Sequence, residues 1–148
     1  MRKLHDPATR SSIEARLRAL RPNAPRKWGR MTSDQMLWHM NQFLSFALGE
    51  GTYDRQTSPV RIPAPIMRFL LLNVPWPKSA PTHPRALASG SYDFEAERER
   101  LLGLIDRFVS RPLDGPWPVD PAFGNVTGEF SSKLQAKHLD HHLRQFNA

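Results

Sequence analysis

Two histidines four residues apart, His138 and His142, stand in Lys137-His138-Leu139-Asp140-His141-His142-Leu143-Arg144-Gln145-Phe146, a stretch that reads as helix. Residues four apart on a helix sit one above the other, with Cβ atoms about 5–6 Å apart, so both imidazoles can aim at one point. A third histidine, His39, lies in the amphipathic stretch Met31-Thr32-Ser33-Asp34-Gln35-Met36-Leu37-Trp38-His39-Met40. Neutral imidazole is the commonest side chain on a divalent transition metal, and three of them with one open position make a catalytic zinc arrangement. One histidine from an early helix and two from the last therefore predict a tri-histidine metal site.

Three neutral ligands would leave the ion its positive charge, so a thiol or water brought to it would lose its proton more easily. Zinc suits these ligands best, and imidazole also accepts nickel, iron or manganese. Gln35, Gln42 and Gln145 fall on the same inward faces. They are candidates to orient a small-molecule substrate, with amides at the packing edge as the alternative. Glu97 and His141 are the candidates for proton transfer. Against them stand an ordinary ion pair or exposed edge for Glu97, and an orienting or surface role for His141. Asp140 should face away from the pair, toward Arg144 four residues on. His5, near the chain start, and His83, between Thr82 and Pro84, are not expected as ligands. Trp38, Phe43 and Phe46 are expected to fill the core or a dimer interface.

The elements that must position these groups read as four helices. Asp6 is a good N-cap and Pro7 suits the first helical position, after which Ile13, Leu17 and Leu20 form one stripe that Pro22 and Pro25 end. Thr32 caps the second helix, with Gln35 completing a capping-box pattern. In it Gln35, Met36, His39, Gln42, Phe43 and Phe46 share a face, and Gly49 and Gly51 supply stop signals. Seven of the fourteen prolines fall between Pro59 and Pro84, so residues 57–90 should form an irregular crossing. Within it the apolar run Ile66 to Val74 is a candidate for a short helix lid over the core, with its length leaving that assignment open. Asp93 or Ser91 caps a third long helix with the stripe Phe94, Leu101, Ile105 and Phe108. After a second proline-bearing connection, Pro112 to Asn125, Thr127 caps the last. No alternating pattern and no internal repeat appears. The expected fold is all-α, a four-helix bundle with crossover connections, in a single domain spanning 1–148 with residues 1–6 frayed.

Composition narrows the function classes. With no cysteine among 148 residues, Cys-ligated zinc, iron–sulfur clusters and a protein thiol nucleophile are excluded. No apolar run approaches the roughly 18 residues of a membrane span and the first residues lack a signal-peptide core, so a cytoplasmic protein is expected. The net charge is +7, yet residues 1–30 hold nine Lys/Arg against two Asp/Glu, while residues 31–148 hold twelve of each. The excess therefore belongs to the first thirty residues. Without a nucleic-acid-binding motif or interleaved aromatics before Trp28, a solvated basic helix is preferred to a nucleic-acid site. No Ser-His-Asp set, phosphate-cradling glycine loop or dinucleotide fingerprint competes with the histidines.

The blocks Lys27-Trp28-Gly29-Arg30-Met31-Thr32 with Gln35-Met36-Leu37-Trp38-His39, and Pro121-Ala122-Phe123-Gly124 with the histidine-rich segment 137–146, resemble the DinB-like superfamily of candidate metalloenzymes. More narrowly, they are similar to a branch of unknown function whose members end in a comparable His-rich helix. The resemblance implies a four-helix bundle with a divalent metal on His39, His138 and His142, and pairing into homodimers through the helices. For some relatives it implies transferase or isomerase activity on a low-molecular-weight thiol. Two functions follow as expectations: a metal-dependent thiol transferase or hydrolase acting on a small molecule, and a non-catalytic, metal-stabilised stress-response or ligand-binding module, with nucleic-acid contact through its basic N-terminal helix as a variant of the second.

Overall fold

The computed structural model describes residues 2–50, 62–78, 86–120 and 123–148. Gly51, His83, residues 57–61 and 79–85 of the proline-rich crossing, and Pro121-Ala122 lie outside these. The described residues form five helices: α1 (Pro7–Ala19), α2 (Ser33–Ala47), α3 (Ala64–Asn73), α4 (Phe94–Ser110) and α5 (Gly128–Gln145). Among them there is no strand, only an isolated bridge between Asp120 and Gly124. None of these helices is long and apolar enough to cross a membrane.

Local chemistry sets the helix starts. Thr127 Oγ1 accepts from the Phe130 N–H, and the Asp93 side chain accepts from the Ala96 N–H, so each satisfies one orphan donor of a first turn. At α2 the Gln35 side-chain Oε1 accepts from the Thr32 N–H, and the Ser33 hydroxyl donates to the Pro22 backbone carbonyl. Pro7 opens α1, where a missing N–H costs nothing, but Asp6 is not a side-chain cap. Its carboxylate instead accepts from the Lys3 N–H.

Contact pairs give the relative directions of the helices. Asn41 meets Glu97, and Glu50 just past α2 pairs with Arg107, so α2 and α4 run parallel. Leu4 donates to the Ser132 carbonyl and Arg16 pairs with Asp140, so α1 and α5 also run parallel. The His5 ring touches Phe108 while Arg98 reaches the Leu20 carbonyl, which sets α1 antiparallel to α4. Lys27, before α2, donates to the Gln145 carbonyl at the end of α5, while Phe43 packs on His138, which sets α2 antiparallel to α5. Helix α1 touches α5 and α4, α2 touches α4 and α5, and α3 touches α5 alone.

One hydrophobic cluster fills the centre, with Leu4, Leu17, Met36, Leu37, Met40, Leu44, Leu101, Ile105, Phe108 and Leu143 inaccessible to solvent. The expected stripes of α1 and α4 are all buried. Helix α2 differs: it buries two sides, Met36, Leu37, Met40, Asn41 and Leu44 as well as His39 and Phe46. A helix between two neighbours must hide more of its circumference than one amphipathic stripe. Helix α3 starts at Ala64, ahead of the Ile66–Val74 run, and covers that run as far as Asn73; it buries none of its residues, and leaves Ile66 52% and Phe69 63% exposed.

The fraying expected for residues 1–6 does not describe residues 2–6. Leu4 is fully buried, and the His5 ring bridges the Ser132 hydroxyl and the Arg111 carbonyl at 2.8 Å each. The carbonyl can only accept, so Nε2 carries the proton and Nδ1 accepts from the hydroxyl. Both ring nitrogens and an apolar anchor are thereby satisfied, which offsets the entropy of ordering the segment. The largest fully buried side chain among the described residues is Phe108. Phe108→Ala is expected to cost about 3–5 kcal/mol of stability, read as a lower urea midpoint at unchanged m-value.

Candidate metal centre

Helices α2 and α5 bring His39, His138 and His142 together. The three are 2%, 8% and 9% exposed, and their ligand nitrogens all lie within 4.8 Å of one another. His138 Nε2 is 3.2 Å from His39 Nε2 and 3.1 Å from His142 Nε2. Two nitrogens each about 2.0–2.1 Å from one tetrahedral ion lie roughly 3.3–3.4 Å apart, so these separations suit a shared cation. Three buried ring nitrogens in this arrangement can hold one metal ion.

The tautomers agree. His39 Nδ1 is 2.9 Å from the Ala86 carbonyl, which can only accept, so the proton is on Nδ1 and the Nε2 lone pair faces the cluster. The Gln145 amide donates through Nε2 to the Trp28 carbonyl at 2.8 Å, which turns its Oε1 toward His142 Nδ1 at 2.9 Å. His142 is therefore also an Nδ1–H tautomer with its Nε2 lone pair turned inward. Carbonyl partners of this kind orient metal-bound imidazoles and raise their basicity. Without a cation, two acceptors compete for the single proton that His138 Nε2 can carry. An ion would satisfy all three nitrogens at once.

Burial decides the charge state. It pushes His39 down to about 4 and His142 down to about 3, and it holds His138 well below the ordinary histidine value. Neighbouring rings of the cluster add to the effect on His138, because like charges this close are unfavourable. All three are neutral at pH 7, which is the ligating form.

Phe43 and Trp76 wall His138, with ring centroids 4.7 Å and 5.3 Å away. Lys137 holds the end of α3 against this wall. Its ammonium donates to the Leu71 and Val74 carbonyls and lies 5.2 Å over the Trp76 ring.

The other sequence candidates separate. His141 lies beside the cluster, its ring 5.2 Å from that of His142 and between Trp28 and Trp76. Partial burial lowers its pKa. Glu97 sits on the α2–α4 seam, where its carboxylate accepts from the Asn41 amide at 2.7 Å. It is not one of the groups gathered around the possible ion. Gln35 has both ends of its amide engaged, by the Thr32 N–H and the Gly90 carbonyl. Gln145 is also engaged at both ends and acts as the support of His142. Gln42 is half-buried. Asp140 pairs with Arg144 as expected, and with Arg16 as well.

Residue types could not have revealed the Ala86 and Trp28 carbonyls, because every residue carries one. Gly29 offered a faint signal. It has φ +80°, and a Cβ there would stand 2.5 Å from Gln145 Nε2, so only glycine leaves the amide its place. Gln145→Leu is expected to weaken metal binding about 10–100-fold at unchanged helix content. Gly29→Ala should act in the same direction, and competition with a chromophoric chelator measures both.

Compared with known proteins, the chain matches no family model, no curated protein and no solved structure.

Proposed function

We propose that this chain is a DinB-like metalloprotein in which His39, His138 and His142 hold one divalent cation, zinc by preference, for chemistry on a small molecule. The observation that carries the reading is the convergence of three Nε2 atoms, two of them with Nδ1–H tied to carbonyls. On this reading α1, α2, α4 and α5 are a four-helix bundle, with α3 riding on the long crossover. The directions and neighbours of the helices support it. A bound ion would supply Lewis acidity, acidifying a thiol or water brought to it. The chain's own residues would exclude solvent through Phe43 and Trp76, orient the imidazoles through Ala86 and Gln145, and place the His141 ring where a proton can be exchanged. We assign the activity to a thiol-dependent transferase or a hydrolase in the cytoplasm, working as a homodimer.

Elemental analysis of protein purified without an affinity tag tests the metal. About one divalent ion per chain is expected, and metal-free protein that takes up none would end the proposal. The alternative, a non-catalytic metal-stabilised module, is favoured by one observation: all three histidines are less than one-tenth exposed. Cobalt-substituted protein distinguishes the two. A visible spectrum that changes on adding a small thiol supports an open coordination position, and an unresponsive one supports the closed site.

A further inference from the structure

We propose a second site, on a different stripe of α5 from the histidine cluster, that binds a small organic phosphate in the cleft between α1 and α5. Its volume is about 550 Å³, within the range of small-molecule pockets. Four cationic side chains line it, Arg2, Arg16, Lys137 and Arg144, against the single carboxylate of Asp140. That carboxylate is already engaged on both oxygens, by Arg16 Nη1 at 2.8 Å and Arg144 Nε at 3.0 Å. It therefore fixes the two guanidinium groups side by side; Arg16 is further held by the Ala148 carbonyl and Lys137 by the Leu71 and Val74 carbonyls, which leaves Arg2 and Arg144 as the rim cations most open to a ligand. Arg2 pairs with no carboxylate among the described residues.

The floor is apolar, formed by Ile13, Ala136 and Leu72, while Thr9 and Ser12 add hydroxyls at the α1 wall. Lys137, Asp140 and Arg144 recur at i, i+3, i+7 along α5, a different stripe from that of His138 and His142. Guanidinium forks match phosphate oxygens in pairs, and an excess of positive charge favours a dianion over a monoanion. A basic rim over an apolar floor suits a phosphate monoester with an apolar body. This site accounts for part of the cationic excess of the first thirty residues, which the histidine cluster does not use.

Calorimetric titration of phenyl phosphate into chelator-stripped protein tests the site without any contribution from a metal ion. We expect saturable one-to-one binding that weakens about tenfold or more in Arg144→Ala and in Arg2→Ala. Arg100→Ala, an exposed change on α4, should leave it unaltered. Both cleft substitutions are at exposed side chains, and unchanged thermal melting would show that the fold persists. The proposal is overturned by absence of saturable binding, by equal weakening in Arg100→Ala, or by benzoate binding as tightly as phenyl phosphate. Displacement of phenyl phosphate by a single-stranded oligonucleotide at lower concentration would also overturn it, in favour of a nucleic-acid surface.

Discussion

His138→Ala is expected to lose metal binding by more than 100-fold, the largest effect of any single substitution in this chain. His138 Nε2 is the shared member of both close nitrogen pairs, so its removal leaves two ligands with no third between them. A four-ligand structural zinc site is worth roughly 10–16 kcal/mol, so one ligand accounts for on the order of 3 kcal/mol or more. The substitution also opens space between Phe43 and Trp76, which costs some stability. Thermal melting with and without added zinc separates the effects. Wild-type protein should gain about 4 kcal/mol at a zinc concentration 1,000 times its dissociation constant, whereas a variant weakened 100-fold or more should gain at most about 1.4 kcal/mol at the same zinc concentration. A variant that still binds one equivalent with wild-type affinity would refute the tri-histidine assignment.

Metal-free protein is expected to lose stability steeply as pH falls from about 6.5 toward 4. In the unfolded chain each histidine titrates near 6.5, whereas in the folded protein burial lowers His39 to about 4 and His142 to about 3, with His138 lowered too. Between the unfolded and folded values the unfolded chain binds more protons, so stability rises with pH there and is lost on acidification. Each histidine contributes about 1.4 kcal/mol per pH unit in that window, and three together roughly 4 kcal/mol per unit. Against a typical domain stability of about 5–15 kcal/mol, acid unfolding should occur before the histidines protonate in place. Urea midpoints recorded from pH 7.5 to 4.5 give the slope. A triple variant combining His39→Phe, His138→Leu and His142→Leu should show a shallower one. A midpoint that stays level across this range in the wild-type protein would contradict the buried neutral cluster. Bound zinc should sharpen the loss, because protons and metal compete for the same lone pairs.

Much of this was legible in the residues. The i, i+4 spacing of His138 and His142 places both on one face wherever the segment is helical, because backbone geometry alone decides that. The stripe Phe94, Leu101, Ile105, Phe108 and the caps Thr127 and Asp93 were readable for the same reason, as were the all-helical character of the described residues and the Asp140–Arg144 pair. Long-range pairing was not. Asn41 looked unremarkable until α4 placed Glu97 against it. Nothing local to residues 2–6 announced that Ser132 and Arg111, more than a hundred residues away, would satisfy His5.

The sequence by itself determined which side chains can ligate, their spacing along each helix, and the confinement of the charge excess to the first thirty residues. These follow from residue type and helical period. The tertiary structure decided that His39 meets His138 at 3.2 Å, that carbonyls from Ala86 and, through Gln145, Trp28 fix the tautomers, and that burial keeps the rings neutral. Such properties depend on which surfaces are brought together and how much water they exclude, and no local pattern carries that information.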